Sequence, residues 1–246
     1  MNLLSVDWDY FFPNPFRSKD GKNDSKLLLY DWGHRETSFF ISGLWHSRAL
    51  GFAQNGLELP MTEGYSGFWE RFRLRKGTKL FVAESHSQIV SLPFRRLVRG
   101  QLEQVYSFDA HHDAGYHRES PEEIFRRGTV TCEDWVLWFL FGGVETKVFY
   151  PPWMDTELEP EPAIDLDRKT DPGGKIPLLF SAVFLCRSGA WVPSWTDHQF
   201  QEFVQAFPGK VVDLGLAERS FDPAQVQQDL ESFRKLREQH SYGKEC

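Results

Sequence analysis

The run LLFSAVFLC at 178–186 restricts the fold more than any other part of the sequence. It is apolar at nearly every position, whereas a strand with one face in water alternates apolar and polar residues. A run of this kind is typical of a parallel sheet that is covered by helices on both faces. The segment therefore predicts an α/β protein.

Other apolar runs alternate with helical patterns along the 246 residues, a length that suits one large α/β domain. Strands are predicted in the segments LLSVDW, TKLFVAES, QVYSFDAHHD, TKVFYPPW, LLFSAVFLCRS and KVVDLGLA. Helices are predicted at 37–55, at 120–128, at 131–141, at 196–207 and at 221–239, with a short one after 88 and an amphipathic basic segment at 68–76.

This alternation predicts a single domain over 1–246, built as a three-layer αβα sandwich with a mainly parallel sheet. The stretch 154–174 is rich in Pro, Asp and Glu, and we predict an exposed insertion loop there. In sheets of this type, ligands bind outside the carboxyl ends of the strands. The ends of the predicted strands are therefore the first place to look for a functional site.

Composition argues against several classes of protein. The net charge of −7 disfavours binding to nucleic acid or to anionic membranes, which depends on Lys and Arg. The 3 cysteines are widely spaced and form no CxxC motif, which fits a reducing compartment. The chain opens without a basic region, and no window has the ~18 uninterrupted apolar residues of a membrane span. We expect a cytoplasmic protein, and the oligomeric state stays open.

Acidic and imidazole residues gather where three of the predicted strands end. The residues of this set are Asp7 and Asp9 in SVDWD, Glu84 and His86 in FVAESH, and Asp109, His111 and Asp113 in SFDAHHD. Alternation along a strand puts residues two apart on one face, and such groups are costly to bury without a cation among them. A donor set rich in oxygen with some nitrogen suits Mn²⁺ or Fe²⁺.

These motifs resemble those of the ureohydrolase (arginase) superfamily. There, a histidine precedes a D-A-H-x-D motif, and a D-x-D strand end completes a binuclear manganese site. His86, DAHHD at 109–113 and DWD at 7–9 match these elements. In arginases the D-x-D strand comes after D-A-H-x-D, whereas here it opens the chain as DWDYFFP. In this the chain is similar to a divergent branch that includes the peptide arginases of ribosomal peptide biosynthesis.

The resemblance covers 1–50 and 80–140 and implies an arginase/deacetylase-like fold with two Mn²⁺ ions per chain. It implies that Asp109 contacts both ions, that His86 and Asp113 bind one, and that His111 binds the other. Asp7 and Asp9 then complete the pair. The implied reaction is the hydrolysis of the guanidino group of arginine in a precursor peptide, giving ornithine and urea, with Asp113 holding the attacking water in line.

Further candidates for substrate binding and proton transfer have a structural explanation of equal weight. Asp31 and Glu36 in YDWGHRE could each pair with a guanidinium, and His34 could carry protons, but a capped helix start accounts for them too. Glu133 either faces the pocket or only occupies a first helical turn. His117 is a candidate leaving-group acid or a solvated loop histidine.

His112 is expected to face away from the metals, because neighbours on a strand point in opposite directions. Two alternative functions stay open. One is another C–N hydrolase of the same superfamily, of the agmatinase, formiminoglutamase or single-zinc deacetylase type. The other is a catalytically inert metal-containing protein that binds a peptide.

Overall fold

The computed structural model describes residues 1–13, 36, 43–91, 102–116, 120–154, 156, 159–162 and 164–242. Its strands are β1 (Asn2–Asp7), β2 (Phe72–Leu74), β3 (Lys79–Ala83), β4 (Gln104–Phe108), β5 (Glu145–Tyr150), β6 (Asp167–Thr170), β7 (Ile176–Cys186) and β8 (Lys210–Asp213). Its α-helices are α1 (Trp45–Gln54), α2 (Pro121–Arg127), α3 (Trp135–Phe141), α4 (Asp197–Gln205) and α5 (Pro223–Tyr242).

The eight strands form one curled sheet in the order β6-β5-β4-β1-β7-β3-β8, and β2 also pairs with β7. Every pairing is parallel. Strand β7 is the centre of this arrangement, since it pairs with β1 and also with β2 and β3, which follow one another along its length. The apolar run at 178–186 lies in this central strand, as predicted.

Helices cover the sheet on both faces, which gives the predicted three layers. Alternate residues of β1 enter different cores, because Leu3 joins one hydrophobic cluster and Leu4 the other. The Leu4 side is covered by α1, α4 and α5, and the Leu3 side by α2 and α3. Among the described residues, no helix combines the length and the apolar character that a membrane crossing requires.

Two stretches differ from the predictions. The segment 154–174, expected to be an exposed loop, contains strand β6, and Glu159 and Asp171 within it are buried. Strand β6 is short and charged, and it forms because β5 offers a free edge for pairing. The amphipathic segment 68–76 is a 3-10 helix (Phe68–Arg71) followed by β2. Of the helix predicted at 37–55, residues 37–42 lie outside the described part.

Candidate metal centre

The first pair of predicted ligands lies where β1 ends. Asp7 is the last residue of the strand and caps a 3-10 helix (Trp8–Phe11), so its Oδ1 accepts a hydrogen bond from the Asp9 N–H at 2.9 Å. The turn, rather than continued strand alternation, brings the two carboxylates together. Both side chains are buried at the carboxyl end of the sheet.

The second group lies in the loop 109–113 that follows β4. The strand ends at Phe108, so the expected strand alternation does not position these side chains. Instead, Asp109 Oδ1 accepts the His111 N–H at 2.9 Å, and Asp9 Oδ1 accepts the Ala110 N–H at 3.2 Å. Asp113 has a positive φ of 47°, which is uncommon for a residue other than glycine. Side-chain hydrogen bonds and this backbone turn therefore aim the loop at β1.

His86 enters from the neighbouring strand. It begins a 3-10 helix (His86–Val90) that Ser85 caps just after β3. Its Nδ1 lies 2.9 Å from Asp7 Oδ2 and 3.6 Å from both Asp109 Oδ2 and Asp113 Oδ2. Its Nε2 lies 3.0 Å from Ser5 Oγ. In a metal-bound form, a proton on Nε2 donated to this hydroxyl would leave the Nδ1 lone pair available to the ion.

All six predicted ligands meet in one place, and we call Asp7, Asp9, His86, Asp109, His111 and Asp113 the acid–histidine cluster. His111 Nδ1 lies 2.9 Å from Asp9 Oδ2 and 3.8 Å from Asp109 Oδ1. Two sets of three have ligand atoms within 4.8 Å of one another and share Asp109: Asp9, Asp109 and His111, and His86, Asp109 and Asp113. A third set is Asp7, His86 and Cys186.

The electrostatics of the acid–histidine cluster follow from its burial. Burial and the nearby carboxylates raise the pKa of Asp109 and of Asp113 well above the usual value. Burial and the charge of Asp7 raise the pKa of Asp9 to about 6. Burial also acts to raise the pKa of Asp7, but the hydrogen bond and charge of His86 outweigh it and lower that pKa. Although burial opposes it, the charge of Asp9 raises the pKa of His111 to about 10.

This chemistry fits a divalent cation. Four carboxylates and two imidazoles are packed together, and Asp109 Oδ2 is buried without a hydrogen-bond partner among the described residues. Such an oxygen is costly to bury unless a proton or a metal ion occupies it. The donor set of oxygen with some nitrogen is the kind that Mn²⁺ and Fe²⁺ accept. Buried clusters of this chain can therefore hold a metal ion.

A cavity of about 180 Å³ opens beside the acid–histidine cluster. The residues that line it are Asp7, Asp9, His111, Asp113, Tyr116, Cys132, Glu133, Pro160, Ser188 and Trp191. Among the described residues of this lining there is no lysine or arginine. The cavity thus combines a strongly acidic floor with aromatic walls, which favours a cationic or metal-bound occupant.

Only some of the predicted substrate-binding and proton-transfer residues lie in the part of the chain that the structure describes. Glu133 lines the cavity, and Glu36 accepts a hydrogen bond from Ser85 Oγ at 2.7 Å, one residue before His86. Burial raises the pKa of Glu36. Asp31, His34 and His117 lie outside the described residues. Glu133 and Glu36 therefore stay candidates with a defined position.

His112 lies away from the acid–histidine cluster. Its Nε2 is 2.8 Å from the Pro160 oxygen, and its backbone N–H donates to Glu159 at 2.8 Å. Since the strand has already ended, loop geometry rather than strand alternation turns this ring away.

Sequence reasoning missed several residues that hold the ligands. Trp135 Nε1 donates to Asp113 Oδ2 at 2.7 Å, and its ring stacks on His86 with centroids 4.5 Å apart. Ser188 Oγ donates to Asp7 Oδ2 at 3.0 Å. Ser5 could have been found, because it precedes Asp7 by two residues on the same face of β1. Trp135 and Ser188 carry no such signal, since only the fold brings them near.

Comparison of the chain with protein-family models, with curated proteins and with solved structures finds no match.

Proposed function

We propose that the protein is a binuclear-manganese hydrolase that cleaves the guanidino group of a peptide-bound arginine, giving ornithine and urea. The observation that carries the proposal is the pair of buried ligand sets that share Asp109. A shared carboxylate between two sets is what a two-metal site needs. The ureohydrolase-like motifs DWD and DAHHD, together with His86, supply the six residues of the acid–histidine cluster and support this reading.

In this proposal, His86, Asp109 and Asp113 would hold one ion, Asp9, Asp109 and His111 would hold the other, and Asp7 would complete the pair. Divalent ions, when bound, supply the Lewis acidity that brings the pKa of water near neutrality. The residues around the ligands hold the ligand side chains in a fixed orientation. Ser5 and Trp135 fix the His86 ring from its edge and its face.

Asp113 is the proposed acceptor for the proton of the attacking water. It lines the cavity, and Trp135 Nε1–H holds its Oδ2 in place at 2.7 Å. In the metal-free protein, burial raises the pKa of Asp113, and a bound divalent ion would act to lower it and favour the carboxylate that accepts a proton. His34 and His117 stay predictions for the group that protonates the leaving amine.

Charge balance favours a guanidinium as the substrate group. The four aspartates of the cluster offset two divalent ions, so the carboxylate of Glu133 is the negative charge left over on the cavity wall. A carboxylate pairs with a guanidinium through two parallel hydrogen bonds, and the Trp191 ring offers a face for the cation. Glu36 beside Ser85 is a second carboxylate that could grip the substrate.

The size of the cavity is compatible with a peptide. Its volume of about 180 Å³ is below the ~300–1,000 Å³ of pockets that enclose whole ligands. It therefore suits one side chain, with the main chain remaining outside. Glu133 is exposed as well as lining the cavity, so the entrance reaches solvent.

A single-ion amidohydrolase of the deacetylase type is the second candidate. The set His86, Asp109 and Asp113 is by itself an Asp-His-Asp donor set of the kind that holds one zinc ion. The number of ions per chain separates the two candidates.

The experiment is incubation of the Mn²⁺-loaded protein with an arginine-containing peptide, followed by mass analysis. Loss of about 42 Da, the amidine carbon and nitrogens released as urea, is the expected result of two-metal hydrolysis. The loss should vanish in Asp109→Asn and persist in Asp167→Asn, an exposed aspartate of β6 that serves as the control. A metal-loaded protein that leaves both peptides and free arginine unchanged contradicts the proposal.

A further inference from the structure

Glu159 is a buried acid that the proposed reaction does not use. It lies in the stretch predicted to be an exposed loop, yet only 4% of its surface is exposed. Its Oε1 accepts hydrogen bonds from the His112 N–H at 2.8 Å and from the Tyr116 hydroxyl, and its Oε2 accepts one from the Tyr150 hydroxyl. A buried carboxylate with three donors is held in one orientation and holds its donors in turn.

Two of these donors belong to the metal-ligand region. His112 lies between the ligands His111 and Asp113, and its own ring is fixed at both nitrogens. Nδ1 accepts the Ala114 N–H at 3.0 Å, so Nε2 carries the proton and donates to the Pro160 oxygen at 2.8 Å. The ring also stacks on Tyr116 with centroids 4.3 Å apart.

The same hydrogen bonds extend to the cavity wall. Tyr116 and Pro160 both line the cavity, and both are hydrogen-bonded to residues of the loop that carries the ligands. The Tyr116 hydroxyl accepts the Asp113 N–H at 3.3 Å while it donates to Glu159. This supports Asp113 in its positive-φ conformation, which persists only where the surroundings impose it.

We propose that Glu159 is a positioning residue of the metal centre. Through His112 and Tyr116 it fixes the ligand loop 109–113 and joins that loop to the cavity wall at Pro160. We call His112, Tyr116 and Glu159 the Glu159 clamp. The expected effect on hydrolysis rests on the proposed function, whereas the effects on loop order and on metal affinity do not.

The first test is amide hydrogen exchange of the metal-free protein. Glu159→Ala removes the acceptor of the His112 N–H, so exchange at His112 and Ala114 should speed up by about tenfold or more, for a free-energy change near 1.4 kcal/mol. Glu159→Gln is the conservative variant. Its amide oxygen can still accept from His112 and Tyr116, and its amide nitrogen can donate to the Tyr150 oxygen, so exchange should stay near that of the wild type.

The second test is Mn²⁺ affinity, measured by calorimetry on the same variants. Loss of a direct partner of a metal ligand typically lowers affinity or activity by about 10–100-fold. Glu159 acts one residue further out, through His112 and Tyr116, so a loss of about tenfold, the lower end of this range, is expected for Glu159→Ala. Tyr150→Phe is the matched control, because it removes the donor to Oε2 and leaves the contacts to His112 and Tyr116. It should change affinity by much less.

Three outcomes overturn the proposal. They are unchanged exchange and Mn²⁺ affinity in a folded Glu159→Ala, an equal loss in Glu159→Gln, and an equal loss in Tyr150→Phe. Where Glu159→Ala does not fold, Tyr116→Phe takes its place and should speed up exchange at Asp113. If the wild type binds Mn²⁺ but leaves arginine peptides intact, the proposed function fails while these readouts still decide the role of Glu159.

Discussion

Two groups of charged residues lie near the carboxyl ends of the strands, one buried and one partly buried, and they differ in how their charges are balanced. One is the acid–histidine cluster. The other, which we call the arginine network, consists of Glu84, Arg187, Asp197 and Arg219. In the arginine network, Arg187 Nε lies 3.0 Å from Glu84 Oε2, and Arg219 Nε lies 2.9 Å from Asp197 Oδ2. Each carboxylate there has a guanidinium as its partner.

The acid–histidine cluster has no such balance. Its four carboxylates face two imidazoles, and Asp109 Oδ2 is buried without a hydrogen-bond partner among the described residues. In the arginine network two guanidinium groups offset two carboxylates, although Glu84 Oε1 is also buried without a hydrogen-bond partner among the described residues. The acid–histidine cluster needs protons or cations from outside. This difference in charge balance, rather than the burial of single oxygens, distinguishes the acid–histidine cluster as the group that can hold a cation.

The largest expected effect is on the arginine network. Arg219 is fully buried and also donates to the carbonyls of Gly189 and Val192. Arg219→Met leaves the partly buried Asp197 with only a distant partner, so the free energy of unfolding should fall by about 3 kcal/mol, the lower end for a broken buried pair. Urea unfolding measures it. Arg126→Met, at an exposed ion pair, should change little, and a similar loss in both variants would remove the distinction.

The metal-free acid–histidine cluster should respond to pH in the sense opposite to ordinary acid unfolding. A carboxyl whose pKa is higher in the folded state stabilises below its unfolded pKa, and this stability is lost as pH rises through the folded pKa. For Asp9 that window runs from 3.8 to about 6, worth roughly 3 kcal/mol at most.

The measurement is the free energy of unfolding of wild type and of Asp9→Asn between pH 4 and pH 7, with chelator present. The wild type should lose stability relative to the variant as pH rises. Parallel curves would show that burial and the charge of Asp7 do not raise the pKa of Asp9.

Metal binding should offset the stability that the metal-free cluster loses as pH rises. At a free Mn²⁺ concentration of 100 times the dissociation constant, a site that exists only in the folded state adds about 2.7 kcal/mol to stability. Thermal unfolding of the wild type should shift upward with Mn²⁺ and return with chelator. In Asp109→Asn the shift should shrink strongly, and an undiminished shift there would place the ion elsewhere.

The smallest expected effect concerns Ser188, whose hydroxyl donates to Asp7 Oδ2 at 3.0 Å. Ser188→Ala should weaken Mn²⁺ binding by up to about tenfold, the lower end for an outer partner of a ligand. Ser232→Ala, on the exposed side of α5, is the control and should leave the affinity unchanged.

The sequence predicted those features that depend on residues close to one another in the chain. The apolar runs predicted six of the strands, and the motifs DWD and DAHHD named residues that the fold brings together. The reasoning about their geometry was less accurate. Asp9, His86 and the loop 109–113 lie past the strand ends, where capping and backbone turns replace strand alternation.

Long-range partners could not be predicted. Glu159 is 47 residues from His112, and its burial depends on Tyr150 and Tyr116. The stretch around it is rich in Pro, Asp and Glu, and for that reason the sequence predicted an exposed loop. Trp135 is a buried core residue that also donates a hydrogen bond to Asp113, and this second contact depends on the fold. Strand β6 carries three charged residues in four, and only the free edge of β5 makes it a strand.

The most direct test of the central claim is a count of metal ions. Protein dialysed against Mn²⁺ and then against metal-free buffer should retain two ions per chain in elemental analysis, and Asp109→Asn should retain fewer. Asp197→Asn, in the arginine network, should retain as many as the wild type where it folds. A wild-type protein with no bound metal would contradict the account, because the acid–histidine cluster would then be balanced by protons alone.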